Sequence, residues 1–404
     1  MCLNLRLVKL LKTLVINNKH HVLKGAAKPL FFYPYETKFD TLFNMLNGIK
    51  IIEIEGLGPT PFAGMLFSDL GAEVTVIHRK DKSDFSSQKN ILDRGKRSIE
   101  LNLKDPDDLV VAKKLIIRSD AVIEGFRPGV MEKLGLGPNE FSENPSLVFG
   151  RMTGWGQDGP KSKQAGHDLN YIGLSGALWF ASHPNTPPFT PPALVGDVGG
   201  GALYLVIGVL SAILNAKESG KGSVVDAAIV DGSAHMMNLF MSLQNTGMLS
   251  EERGKSLLDG PPWSRCYRTL DDLWISVQCL EPKFYSEFLE VMGLSDHSKF
   301  KNQLNKENWK EMTEILEDHF LKKSLQEWIK IFDQTDSCVA PVLSPMQSKN
   351  DPHMDYRKTW VDDGGLIQAS AAPRFNNTRE DIGKIPQRGE HKDLILSELN
   401  EKKL

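Results

Sequence analysis

From Gly48 onward the chain alternates short apolar runs with amphipathic stretches. Residues 48–54 predict a strand, 61–70 a helix behind Pro59-Thr60-Pro61, and 73–77 a second strand, which together make a βαβ unit. Asp105-Pro106 opens a helix that runs to Arg118, with the proline in its first turn, and strands follow at 121–124 and 147–152. An apolar helix is expected over 199–216, ended by Lys221-Gly222-Ser223. A second helical stretch from about Asp226 carries Met236, Met237, Met241 and Met248. After Gly247 the chain turns polar and passes Gly260-Pro261-Pro262. It then predicts a strand at 273–279 and helices near 283–292, 309–320 and 325–332. The stretch from Gly364, rich in Pro, Gly and Asn, reads as an arm crossing back over another domain or subunit.

Strands alternating with helices predict an α/β fold with a parallel, doubly wound sheet, whose ligands bind beyond the carboxyl ends of the strands. At 404 residues the chain exceeds the size of a single core. The expected plan is a Rossmann-like large domain over 45–227, completed by a C-terminal segment 365–404. A linker with the Met-rich helix (228–257), a smaller α/β domain (258–345) and a return linker (346–364) complete it. Residues 1–44 stand apart as an N-terminal extension: Arg6, Lys9, Lys12, Lys19, Lys24 and Lys28 all precede the first acidic residue, Glu36. That pattern fits a transit peptide, and equally an extension upstream of a start at Met45.

A net charge of −3 gives no reason to invoke nucleic acid, so any positive site must be local. The longest apolar run, from Ala202 to Leu214, falls short of a bilayer span and predicts no membrane insertion. Cys2, Cys266, Cys279 and Cys338 are scattered without metal spacing, which predicts a reducing, cytoplasmic setting and no structural metal. A mitochondrial or peroxisomal location is the eukaryotic alternative, although Lys402-Lys403-Leu404 only loosely matches a peroxisomal Ser-Lys-Leu address.

Glu55-Gly56-Leu57-Gly58 begins like a dinucleotide fingerprint, but the third glycine is missing and the second strand ends in His78-Arg79-Lys80 rather than a carboxylate. A basic strand end suits a phosphate; solvated strand-end charges are the plainer reading. Arg127, within Gly125-Phe126-Arg127-Pro128-Gly129, also follows a strand. Gly166-His167-Asp168-Leu169-Asn170 and Val195-Gly196-Asp197-Val198-Gly199-Gly200-Gly201 supply an imidazole and a carboxylate, each framed by glycines that allow close approach of a ligand. Two different bases suit chemistry on both faces of one carbon; caps of a turn and of a helix are the plain alternative. Glu281, at a strand-to-helix turn, is by default a charge favoured by the helix dipole. Met236, Met237 and Met241 read as core filler or as a soft surface for a greasy substrate.

From about Gly48 to Ile395 the chain resembles the class III CoA-transferase superfamily. The resemblance rests on Gly125–Gly129 with Leu134-Gly135-Leu136-Gly137, on Arg151–Pro160, on Ala165–Tyr171 and on Gly196-Asp197. It rests also on Gly222-Ser223-Val224-Val225-Asp226-Ala227-Ala228 and on Leu280–Tyr285. His167 and Glu281 align it with the racemase branch, which epimerises 2-methylacyl-CoA thioesters, rather than with the transferase branch, where the residue matching Asp197 is a covalent nucleophile. The resemblance implies His167 and Asp197 as the two bases, Glu281 orienting the imidazole, and the backbone N–H of Asp168 as oxyanion donor, with glycine amides in support. It further implies Arg79, Arg127, Lys133 and Gly166 as contacts of the acyl-CoA, Lys133 standing where some racemases carry an arginine. No metal or separate cofactor is implied, since CoA is part of the substrate. The implied assembly is an interlocked homodimer in which Glu281 reaches the His167 of the other subunit. A transferase using Asp197 covalently and a silent acyl-CoA binder are the alternatives.

Overall fold

The computed structural model describes residues 45–80, 89–376 and 381–401. The basic extension 1–44 and the terminal Lys402-Lys403-Leu404 lie outside them. Six strands form one parallel sheet in the order β3-β2-β1-β4-β5-β6. They are β1 (Lys50–Ile54), β2 (Glu73–His78), β3 (Arg97–Glu100), β4 (Ala121–Glu124), β5 (Val148–Thr153) and β6 (Val224–Ala228). The order reverses between β1 and β4, and that crevice is where a sheet of this kind binds its ligand.

Helix α1 (Pro59–Asp69) follows β1, and α2 (Pro106–Ile117) links β3 to β4. Asp105 caps α2 by accepting from the N–H groups of Asp107 and Asp108, as the Asp-Pro pair predicts. Short α3 (Val130–Lys133) and α4 (Asp168–Leu174) follow β4 and β5. A wide, π-wound segment, Leu194–Ala202, then runs directly into α5 (Leu203–Ser219). Asp197, expected in a loop or as a helix cap, lies inside this π-wound segment. The resulting helical run, Leu194–Ser219, is the one among the described residues that is long and apolar enough to cross a membrane. The apolar run read over Ala202–Leu214 is the middle of this run, which packs as a core helix. Leu205, Val206, Val209, Ala212, Ile213 and Ala216 of this run are buried together with residues of the sheet, including Ile51, Ala121 and Val148.

Helix α6 (Ile229–Met236) packs against the π-wound segment so closely that a Cβ on Gly200 would lie 2.3 Å from Ser233 Oγ. One on Gly232 would lie 1.9 Å from the Gly200 carbonyl oxygen. Asp226, expected to begin this helix, belongs instead to β6, where its neighbours Val225 and Ala227 pair with Gly150 and Met152.

A second core forms on an antiparallel sheet, β7 (Ser264–Arg268), β8 (Trp274–Gln278) and β9 (Val339–Pro341). Helices Pro282–Met292, Trp309–Phe320 and Leu325–Phe332 bury Trp263, Tyr267, Phe288, Phe320 and Trp328 against it. The end of the stretch read as a return linker pairs with the start of the C-terminal arm in a hairpin, β10 (Trp360–Asp363) and β11 (Leu366–Ala369), and the arm ends in a helix, Lys392–Asn400. It returns to the parallel sheet. The Gly95 N–H donates to the Lys384 carbonyl (2.8 Å), the His391 N–H to the Ser98 carbonyl (2.9 Å), and Ile395 and Leu399 are buried beside Ile99 and Ile116.

Candidate active site

His167 is the residue immediately before α4, in extended conformation, and its N–H donates to Asn170 Oδ1 (3.0 Å). Its imidazole is exposed. Beneath it, buried Tyr171 stands edge-on to Trp155 (4.7 Å between ring centroids) and donates its hydroxyl to the Gly166 carbonyl. A Cβ on Gly154 would lie 1.9 Å from the Tyr171 ring. Tyr171 therefore fixes the loop that presents His167, a function its place in the Ala165–Tyr171 run did not disclose.

Asp168 ties the two candidate bases together. Its Oδ1 accepts from the N–H of Gly196 (2.9 Å) and of Asp197 (2.8 Å), which satisfies two donors of the π-wound segment. This works only with glycine at 196, since a Cβ there would sit 2.4 Å from the same oxygen. The sequence reading gave Asp168 only a backbone role. The structure adds a carboxylate that holds Asp197 against the residue next to His167.

The Asp197 carboxylate reaches the crevice at the switch point. Its Oδ2 lies 3.4 Å from where a Cβ would stand on Gly58, at the turn between β1 and α1. Gly58 has φ +68°, a conformation that suits glycine. Burial, reinforced by the Asp168 carboxylate and opposed by His167, pushes the pKa of the Asp197 carboxyl up to about 6. A carboxyl poised there can hold a proton near neutral pH. Because the folded-state value is raised, the contribution of Asp197 to stability is complete below the ordinary carboxylate range and is lost as pH rises through about 6. Asp197→Asn removes that dependence. The variant should gain stability over the parent as pH rises from about 4 to about 7, read by urea unfolding across that window. A stability difference independent of pH would contradict the raised value.

Two exposed cations stand on the same edge of the sheet. Arg79 follows β2 and places its guanidinium over the Phe126 ring (5.6 Å), and Arg127 follows β4. Burial and Asp197 raise the Tyr171 phenol while Arg127 lowers it, so the arginine stands within electrostatic reach of the site. The β4 turn is itself braced: the Phe126 N–H donates to Glu124 Oε2 (2.6 Å), and Arg151 bridges Glu124 (2.9 Å) to Glu132 of α3 (2.8 Å). Lys133 ends α3 and is exposed. Met236 reaches the same region, its methyl 3.2 Å from a Cβ position on Gly199.

Glu281 is not brought to His167 within the chain. It precedes the helix Pro282–Met292 on the antiparallel side, exposed, with Cys338 as an electrostatic neighbour. Among the described residues no group of three or more His, Cys, Asp or Glu side chains could hold a metal ion.

Comparison with known proteins gives the family. The model of CoA-transferase family III matches residues 46–392. Alpha-methylacyl-CoA racemase of Mus musculus is 37% identical over 359 residues, covering 88% of this chain and 93% of the relative. Succinyl-CoA:glutarate CoA-transferase of Homo sapiens is 26% identical, covering 88% and 86%. The crystal structure of a CAIB/BAIF family protein from Brucella suis superposes with a TM-score of 0.75 at 23% identity, covering 88% of this chain and 99% of that one, and shares the fold. A family model spanning both cores and the returning segment, together with a relative at 37% identity over nearly its whole length, places this chain in CoA-transferase family III.

Proposed function

We propose that the chain interconverts (R)- and (S)-2-methylacyl-CoA by 1,1-proton transfer. The observation that carries this reading is the Asp168 bridge, which holds a carboxyl titrating near pH 6 beside the imidazole-bearing turn. In this reading its chain neighbour His167 and its hydrogen-bond partner Asp197 serve as two unlike bases. A thioester α-proton is weakly acidic, so a base must act while the enolate oxygen is stabilised. Neutral His167 takes the proton from one face, leaving an enolate and an imidazolium, and protonated Asp197 gives its proton to the opposite face. The reverse direction begins from imidazolium and carboxylate, and the two protonation states are therefore linked. The Asp168 N–H, at the first turn of α4, serves as the oxyanion donor, and Arg79 and Arg127 hold the phosphates of CoA.

The working unit is a homodimer whose partner subunit supplies Glu281 to orient the imidazole. Exposed apolar side chains beside the site, Leu174 (59%), Leu194 (59%) and Ile207 (60%), support a face that is covered in the assembly. Incubation with a single epimer, followed by chiral analysis of the thioester, should give a mixture near 1:1. Recovery of unchanged epimer overturns the proposal. Transferase relatives in the same family favour a second reading, in which Asp197 is acylated. Hydroxylamine trapping of an acyl-enzyme would establish that reading, and the racemase predicts no trapped adduct.

A further inference from the structure

Beyond His78 the second strand of the parallel sheet has no ladder bonds, yet the exposed Arg79 that follows it needs a fixed origin if it is to meet a phosphate. Both main-chain polar groups of Arg79 are taken up by an ion pair that joins two distant parts of the chain. Its N–H donates to Glu55 Oε2 (2.8 Å), and its carbonyl accepts from the Arg388 guanidinium (2.9 Å). Arg388 meets Glu55 through both terminal nitrogens and lies 3.0 Å from His78 Nδ1. Its side chain is only 6% exposed, and Glu100 lies 3.6 Å away on its other side, so its charge is matched from within the protein. Burial alone would raise the Glu55 carboxyl, but hydrogen bonds from His78, Arg388 and the Arg79 N–H hold it far below the usual carboxylate range. The pair is therefore charged throughout the working pH range. Arg388 sits in the C-terminal segment that docks on β3, where the Gly389 N–H donates to Ser98 Oγ (2.8 Å).

We propose that Arg388 is a positioning residue for CoA binding: by gripping Glu55 and the Arg79 carbonyl it aims the Arg79 guanidinium, so that the docked C-terminal segment forms part of the CoA site. This rests on the reading of Arg79 as a phosphate contact. The fork geometry matters, because one guanidinium spans a carboxylate and a carbonyl together, which an ammonium does not reproduce.

The test is a double-mutant cycle on the full chain, with free CoA as the titrant in calorimetry, so that no assumption about the reaction enters. Arg79→Ala and Arg388→Ala should each weaken CoA binding by about tenfold, the size of one lost charge-assisted contact. The double variant should lose about tenfold, not a hundredfold, because both changes remove the same contact. Arg388→Lys, which keeps the charge and the docked segment, should recover only part of the affinity. With thioester substrate, Arg388→Ala should raise KM about tenfold and alter kcat by less than about twofold. Losses that multiply in the double variant, full affinity in Arg388→Ala, or a fall in kcat without a change in KM would each overturn the positioning role. Undiminished CoA binding in Arg79→Ala would overturn the phosphate contact on which it rests, and an Arg388→Ala effect that persists undiminished in that background would overturn the positioning role itself.

Discussion

Replacing either His167 or Asp197 by alanine should lower the rate of epimerisation of a 2-methylacyl-CoA by about two to four orders of magnitude, the usual worth of one positioned acid or base. Both groups act in every turnover, one taking a proton and the other giving one, so neither substitution leaves a complete path. Affinity for free CoA should stay close to that of the parent, because the arginines at the ends of β2 and β4 are untouched. Near-parental rates in either variant would remove that residue from the mechanism.

Mixing two inactive chains, His167→Ala and Glu281→Ala, under conditions that let subunits exchange should restore activity. Within one chain Glu281 stands beside Cys338 and has no contact with His167, so a role on the imidazole requires the partner subunit. In a mixed dimer one site then carries both defects and the other none, and at most about half the parental rate per heterodimer returns. If Glu281 acted on its own chain, every site of the heterodimer would carry one defect. Verified heterodimers without activity would therefore contradict the arrangement.

Much of this architecture is legible from local pattern. The βαβ start, the Asp105 cap, β4 and the helices Trp309–Phe320 and Leu325–Phe332 follow from apolar periodicity and capping residues alone. The strand β6 escaped because it is an edge strand whose Val224 is exposed and whose last residues, Ala227 and Ala228, lead directly into α6; its pattern reads as the start of a helix. The π winding around Asp197 escaped for another reason. The residues around Asp197, before the helix expected from Gly199, read as a loop, and only the structure, with the backbone of α6 lying against Gly200, shows that the winding already begins at Leu194. His167 and Asp197 stood out through residue type and flanking glycines. The side-chain bridge from Asp168 did not, since a hydrogen bond to backbone 29 residues away leaves no local mark. The pairing of Glu55 with Arg388, 333 residues apart, is still further from any sequence signal.

The central claim is that two unlike bases work on opposite faces of one carbon. Exchange of the α-proton in deuterated water, followed by NMR from each pure epimer, tests it most directly. The parent chain should place deuterium at the α-carbon of both epimers. His167→Ala should retain slow exchange from one epimer only, and Asp197→Ala from the other only, because each variant keeps the base on one face. Exchange of the same epimer in both variants, or equal exchange of both epimers in either, would contradict the two-base account.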